Sequence, residues 1–156
     1  MRVVVLTGLA VAAAIFGVAE AQTQTVQVPA VGIIAARQAA YALMGADATD
    51  IKRALDAKVT DVKPFKANAE AIEKWASAVQ VMFPPGTEQG HDTKALPAVW
   101  SDRPGFEKAA NTLKERAADL AKAADANDPA AFAAAFGEMG RACGACHRNY
   151  RQKQNS

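Results

Sequence analysis

The chain has 156 residues, 18 basic and 16 acidic side chains, a formal charge of +2, two cysteines and two histidines. So small a net charge, with no basic block except the tail from Arg148 to Lys153, excludes a nucleic-acid partner gathered by electrostatics. Alanine makes up about a quarter of the residues, aromatics are few and β-rich runs are almost absent, which points to an all-α protein.

The first element is a leader. Met1-Arg2 is a short positive n-region, Val3 to Val18 is almost wholly apolar, and Ala19-Glu20-Ala21 sets small residues at the positions that determine cleavage. Residues 1–21 read as a secretory signal peptide cleaved after Ala21. The apolar run is short for a membrane span and gives way at once to Gln22-Thr23-Gln24-Thr25; an uncleaved anchor is the other reading of the same residues. Cleavage leaves residues 22–156, enough for one domain with one core. The mature chain is expected in the periplasm, off the membrane.

Four helical segments follow, each with apolar positions stepping by three and four. The first carries Ile34, Arg37, Tyr41, Met44, Ala48, Ile51 and Leu55, and the second Phe65, Ala69, Ile72, Ala76, Val79 and Phe83. The third carries Phe106, Ala110, Leu113, Ala117, Leu120 and Ala124, and the fourth Phe132, Phe136, Met139, Cys143, Cys146 and Tyr150. This stepping is the seam of helices packed at about 20° to one another, and it predicts an antiparallel up-down-up-down four-helix bundle. Thr60 or Asp61 is placed to cap the second helix. Ser101 or Asp102 is placed to cap the third, with Pro104 in its first turn, and Asp128 followed by Pro129 starts the fourth. Short connections make the first and second helices, and the third and fourth, antiparallel neighbours. The connection from Pro84 to Val99 is long and rich in Pro and Gly, a length that in a compact domain marks a functional or mobile loop.

The last helix ends in Cys143-Gly144-Ala145-Cys146-His147, the Cys-x-x-Cys-His attachment signature of a c-type haem. Thiols three residues apart share a helix face. They can add to the two vinyl groups on one porphyrin edge, while the following histidine reaches the iron. A thioredoxin-type dithiol would need a strand-to-helix context that the sequence lacks, and a zinc site would need ligands beyond His91. The haem-free alternative is a helical bundle with a Cys143–Cys146 disulfide. Because both cysteines fall in phase with Phe132, Phe136 and Met139, the haem edge belongs to the core face of the last helix. Arg37 then stands out, as a guanidinium in a register that calls for an apolar side chain. Either it snorkels to water, or it meets a buried-edge anion such as a haem propionate, with Gln38 as a second donor.

Arg37-Gln38-Ala39-Ala40-Tyr41, Phe83-Pro84-Pro85-Gly86-Thr87-Glu88, Trp100-Ser101-Asp102 and the run from Ala135 through Cys143 and His147 to Arg151 together resemble the class II c-type cytochromes of the cytochrome c′ family. The resemblance covers the whole mature chain. It implies thioether bonds at Cys143 and Cys146, His147 as proximal ligand and as the metal-binding residue, and Arg37 with Gln38 near the propionates. It further implies Arg151 beside the proximal face and Thr87 with Glu88 in the loop that passes the haem edge.

The resemblance also puts the position four after the matching arginine over the iron, where low-spin members carry methionine. Here that residue is Tyr41, and the nine residues after His147 include neither Met nor His. Met139 lies about 12 Å from His147 along the same helix, on the proximal side. Met82 reads as packing and His91 as a solvated loop residue. Tyr41 has no neighbouring base to make it a phenolate ligand. The expectation is a periplasmic, monohaem, five-coordinate high-spin protein, not an enzyme. It would exchange electrons with a periplasmic donor or acceptor, bind nitric oxide or carbon monoxide, or do both. A homodimer through the first two helices is compatible with the resemblance, but the stripes alone do not show one. Ligation by Met44, giving a plain low-spin electron carrier, is the alternative.

Overall fold

The protein is described by a computed structural model over residues 28–153, and the expected leader at 1–21 lies outside the described residues. The elements are α1 (Ala30–Asp56), α2 (Lys66–Ala78), a short α3 (Ala98–Ser101), α4 (Arg103–Asp125) and α5 (Pro129–Tyr150). Short 3-10 turns at Lys63–Phe65 and Val79–Met82 flank α2. The four long helices are the expected four-helix bundle. Among the described residues no helix is long and apolar enough to cross a membrane.

The three-four stepping is what the helices bury. In α4 every stripe residue from Phe106 to Ala124 is buried, and in α2 so are Ala69, Ile72 and Ala76. The alanines of these stripes let α2 and α4 lie closely side by side. Leu113 and Leu120 on α4, and Ile72 on α2, fill the space that the alanines leave. α1 packs along α2, α2 along α4 and α4 along α5. The remaining seam, between α1 and α5, has no comparable backbone approach. The 84–97 connection crosses that end of the bundle instead. It is tied to the end of α5 by an antiparallel bridge between Ala95 and Arg151, with Leu96 N donating to Tyr150 O at 2.9 Å and Gln152 N to Lys94 O at 2.8 Å.

Two of the helix starts follow the sequence. The Asp128 carboxylate accepts from Ala130 N and Ala131 N at 3.0 and 2.9 Å, and Asp102 accepts from Gly105 N at 3.2 Å. The start of the second helical segment differs. Asp61 reaches only Lys63 N, at 3.3 Å, whereas Asn127 Oδ1 accepts from both Val62 N (2.8 Å) and Lys63 N (3.2 Å). Asn127 stands between α4 and α5 with a left-handed φ of 50°, a conformation Asn tolerates well. One loop therefore caps the other, and both connections at that end become a single unit.

Replacing Asn127 by Gly keeps the left-handed backbone and removes the cap. It should cost about 1 kcal/mol, read as a lower denaturant midpoint with an unchanged slope, and Asn127→Asp should recover most of the loss.

Candidate functional site

The open seam between α1 and α5 encloses a cavity of about 600 Å³, within the ~300–1,000 Å³ typical of ligand and cofactor sites. α1 supplies Arg37, Gln38, Tyr41, Met44 and Ala48, while α5 and its end supply Met139, Cys143, Cys146, His147, Tyr150 and Arg151. Phe106, Ala110 and Leu113 of α4 form the floor, and Thr93, Lys94 and Ala95 of the long connection form the rim. An aromatic arc runs through the cavity wall. Tyr41 meets Phe83 at 6.4 Å between centroids, Phe83 meets Phe106 edge-on at 5.1 Å, and Phe106 meets Tyr150 edge-on at 5.3 Å.

Cys143 and Cys146 are half-buried free thiols on the cavity side of α5. Burial pushes both above the ordinary thiol range, which favours the protonated thiol at neutral pH. His147 follows at the mouth. Desolvation, then the neighbouring Arg151 charge, holds its imidazole below the usual range and favours the neutral, ligating form. Among the described residues no three His, Cys, Asp or Glu side chains converge to hold an ion directly. The donor set of two thiols and one imidazole, beside a large apolar cavity, fits a covalently held macrocycle rather than zinc. Across the cavity, Tyr41 is mostly buried and its phenol is held far above its ordinary range, chiefly by burial, so it faces α5 as a neutral group. Met44 also lines the cavity but is packed into the apolar cluster with Ile51, Ile72 and Leu113. Met82 and His91 do not line it.

Arg37 does not snorkel; it is 3% exposed. Its guanidinium donates to Thr87 Oγ1 and Thr87 O, both at 2.9 Å, to Thr93 Oγ1 at 2.6 Å and to Met82 O at 3.5 Å. Its charge lies 4.4 Å from the Phe83 ring centroid. Every one of these partners is uncharged, and together they clamp the long connection onto α1. Gln38 Nε2 donates to His91 O at 2.9 Å and adds a second tie.

Thr87 and Glu88, placed by the resemblance in the loop that passes the haem edge, do not themselves line the cavity. Thr87 is 1% exposed and is turned onto Arg37 and Pro84 O, while Glu88 folds back to accept from Gly86 N at 3.0 Å. The connection reaches the cavity six residues later, through Thr93, Lys94 and Ala95. Sequence reasoning placed Tyr150 on the fourth stripe but missed its bond: the hydroxyl donates to Asp102 Oδ2 at 2.7 Å across the α4–α5 junction. That bond pushes the phenol up to about 12. Gly105 is the hidden signal: a Cβ there would collide with the Asp102 carboxylate and the Tyr150 hydroxyl.

The chain matches the cytochrome c′ family over residues 32–151. It is 37% identical over 94 residues to cytochrome c′ of Alcaligenes xylosoxydans xylosoxydans, covering 60% of this chain and 72% of that one. It is 37% identical over 97 residues to cytochrome c-556 of Agrobacterium tumefaciens, covering 62% and 77%. Among solved structures it resembles the nitric oxide complex of a leucine-to-alanine mutant of cytochrome c′ from Alcaligenes xylosoxidans, with a TM-score of 0.74 and 31% identity over 82% of this chain and 99% of that one. Cytochrome c′ from Thermochromatium tepidum matches with a TM-score of 0.75 and 30% identity over 81% and 98%.

Arg37→Leu should loosen the clamp. We expect a loss of about 2–3 kcal/mol in chemical denaturation and faster limited proteolysis between residues 84 and 97, with Arg37→Lys only partly restoring both.

Proposed function

This chain belongs to the cytochrome c′ family and carries one covalently attached haem c, and on that premise we propose that it is an exported, five-coordinate high-spin cytochrome that exchanges electrons, binds a small diatomic gas, or does both. It is not an enzyme in this reading. It reaches the periplasm after loss of the leader at residues 1–21. When bound, the haem supplies a one-electron couple and an open axial position on iron. Cys143 and Cys146 would hold its edge by thioether bonds, and His147 would give the iron its protein nitrogen. Arg37 and Gln38 would hold the loop at the end where the carboxylates lie, with Arg37 adding fixed positive charge there. Arg151 would flank the proximal side.

The observation that carries the reading is the cavity wall facing α5, where Tyr41 stands as a neutral phenol. A phenol of that kind is a poor ligand but a bulky one. It would narrow the space that a diatomic enters without closing the iron's sixth position. Nitric oxide and carbon monoxide are bound in solved relatives: the nitric oxide complex above, and a carbon monoxide-bound leucine-to-glycine variant of cytochrome c′ from Alcaligenes xylosoxidans. Val31 and Leu43, exposed on α1, suit a homodimer formed through the first helices.

Protein matured with the c-type machinery should gain one haem mass and keep its colour in acid acetone. A colourless chain with two alkylatable thiols would leave only the haem-free bundle. The reduced form should have a high-spin spectrum and take up carbon monoxide without displacing a strong ligand. Tyr41→Ala should speed uptake, and Tyr41→Met should drive the iron toward low spin. A wild-type protein that is low spin, and turns high spin in Met44→Ala, would establish the plain electron carrier instead.

A further inference from the structure

The cavity is electrically lopsided. Its lining includes three cations, Arg37, Lys94 and Arg151, and no Asp or Glu. All three lie where the long connection meets α1 and the end of α5, while the other end is walled by Met44, Ala48, Leu113 and Met139. Such a lining suits an amphiphilic occupant with its anionic edge at the rim. Haem has that form, with two carboxylates on one edge of an apolar ring.

Which cation meets those carboxylates is a question of free donors. A guanidinium has five N–H groups. Arg37 commits four of them to Met82, Thr87 and Thr93, so only Nε–H remains, too few for a bidentate grip on a carboxylate. Lys94 and Arg151 have no side-chain acceptor and no ion pair among the described residues, and both line the cavity. Their proximity is built into the backbone. The Ala95–Arg151 bridge and the bond from Gln152 N to Lys94 O hold residue 94 beside residue 151.

We propose that Lys94 is the direct partner of a haem carboxylate, paired at the rim with Arg151, and that Arg37 acts behind them as a fixed charge and as the clamp that keeps Lys94 in place. This rests on the haem assignment and is independent of the spin state proposed above. Lys94 is therefore a positioning residue. It would fix the carboxylate edge and, as a cation at that edge, disfavour the ferric state.

The test uses the mature holoprotein and compares wild type with Lys94→Gln, Lys94→Glu and Lys94→Arg, with Lys74→Gln on the exposed side of α2 as control. Two quantities are read: the ferric-to-ferrous ratio at a fixed solution potential and low salt, and the propionate bending band in the resonance Raman spectrum. Lys94→Gln should raise the ferric share about threefold, the size expected of an exposed ion pair, and Lys94→Glu should raise it further. Both effects should shrink at high salt. Both variants should also move the propionate band, Lys94→Arg should restore ratio and band, and Lys74→Gln should leave both unchanged. If the ratio moves while the band stays fixed, Lys94 is a bystander charge and the proposal is overturned. If neither moves, it is overturned as well. Loss of covalent haem from wild type would instead break the cofactor assignment, and a low-spin wild type would break only the five-coordinate reading.

Discussion

A cation buried against uncharged partners holds the architecture of the site. Arg37 sits in the core register of α1 and has no carboxylate to neutralise it. Desolvation lowers its affinity for a proton somewhat, but a guanidinium starts so high that it remains charged. Such a group is tolerated only if its hydrogen bonds are met and its charge is spread. The Thr87 hydroxyl and carbonyl, the Thr93 hydroxyl and the Met82 carbonyl meet the first condition. The faces of Phe83 and Trp100, 4.4 and 5.9 Å from the charge, help to meet the second. The consequence is topological. The seam between α1 and α5 has no helix-to-helix closure, so the connection after α2 spans it as a strap. Arg37 holds one end of that strap, and the Ala95–Arg151 bridge holds the other.

That strap explains how so apolar a cavity survives in a small bundle. Four helices with continuous apolar stripes would gain by closing fully on one another, since each buried side chain contributes about 1.5–3 kcal/mol. α1 and α5 are kept from doing so at the strap end by the bulk of Tyr41, Phe83, Phe106 and Tyr150, whose rings pack on one another in the cavity wall, Phe106 edge-on to both Phe83 and Tyr150. Lower down, the alanine seam between α2 and α4 draws those two helices together and leaves the outer pair to face the cavity. The arrangement brings the α5 thiols and the α1 phenol into one chamber, which is the condition for any chemistry proposed at the iron.

Much of this was legible in the residues, and the reasons differ from part to part. The helices could be read because their stripes have a single period and their breakers are strong. Asp102 with Pro104, and Asp128 with Pro129, cap as written. The attachment motif could be read because two thiols and an imidazole at fixed helical spacing have few competing uses. Arg37 could be singled out as anomalous because charge in a core register is costly, but its partners could not be named. Thr87 and Thr93 lie 50 and 56 residues away in a connection without periodicity, and nothing local tells which hydroxyl turns inward. The same holds for Asn127. Its side chain caps a segment 65 residues earlier, so a local reading chose Asp61 instead. Resemblance pointed to Thr87 and Glu88 as part of the loop that passes the haem edge. The chain turns them toward Arg37 and Gly86, and it is Thr93 to Ala95 that reach the cavity.

The least visible feature is the junction of Asp102, Gly105 and Tyr150, and it bears on the turn of α5 that carries His147. Asp102 accepts at once from the backbone of the first turn of α4 and from the Tyr150 hydroxyl, through different carboxylate oxygens. Gly105 must lack a side chain for the two to meet. Tyr150 lies three residues beyond His147, on nearly the same helix face. A single carboxylate therefore joins the start of one helix to the end of another, and the last turn of α5 is held on three sides: by this bond, by the backbone bridge to the strap, and by the Tyr150–Phe106 ring contact. Terminal helical turns fray readily when nothing holds them. A ligand carried on one must keep its direction if the reduction potential is to be a fixed property of the protein. Apart from Arg151, whose N–H donates to His147 O at 3.2 Å, the constraint on this turn is built from residues distant in the chain, which is why motif spacing alone locates the imidazole without revealing what holds its turn.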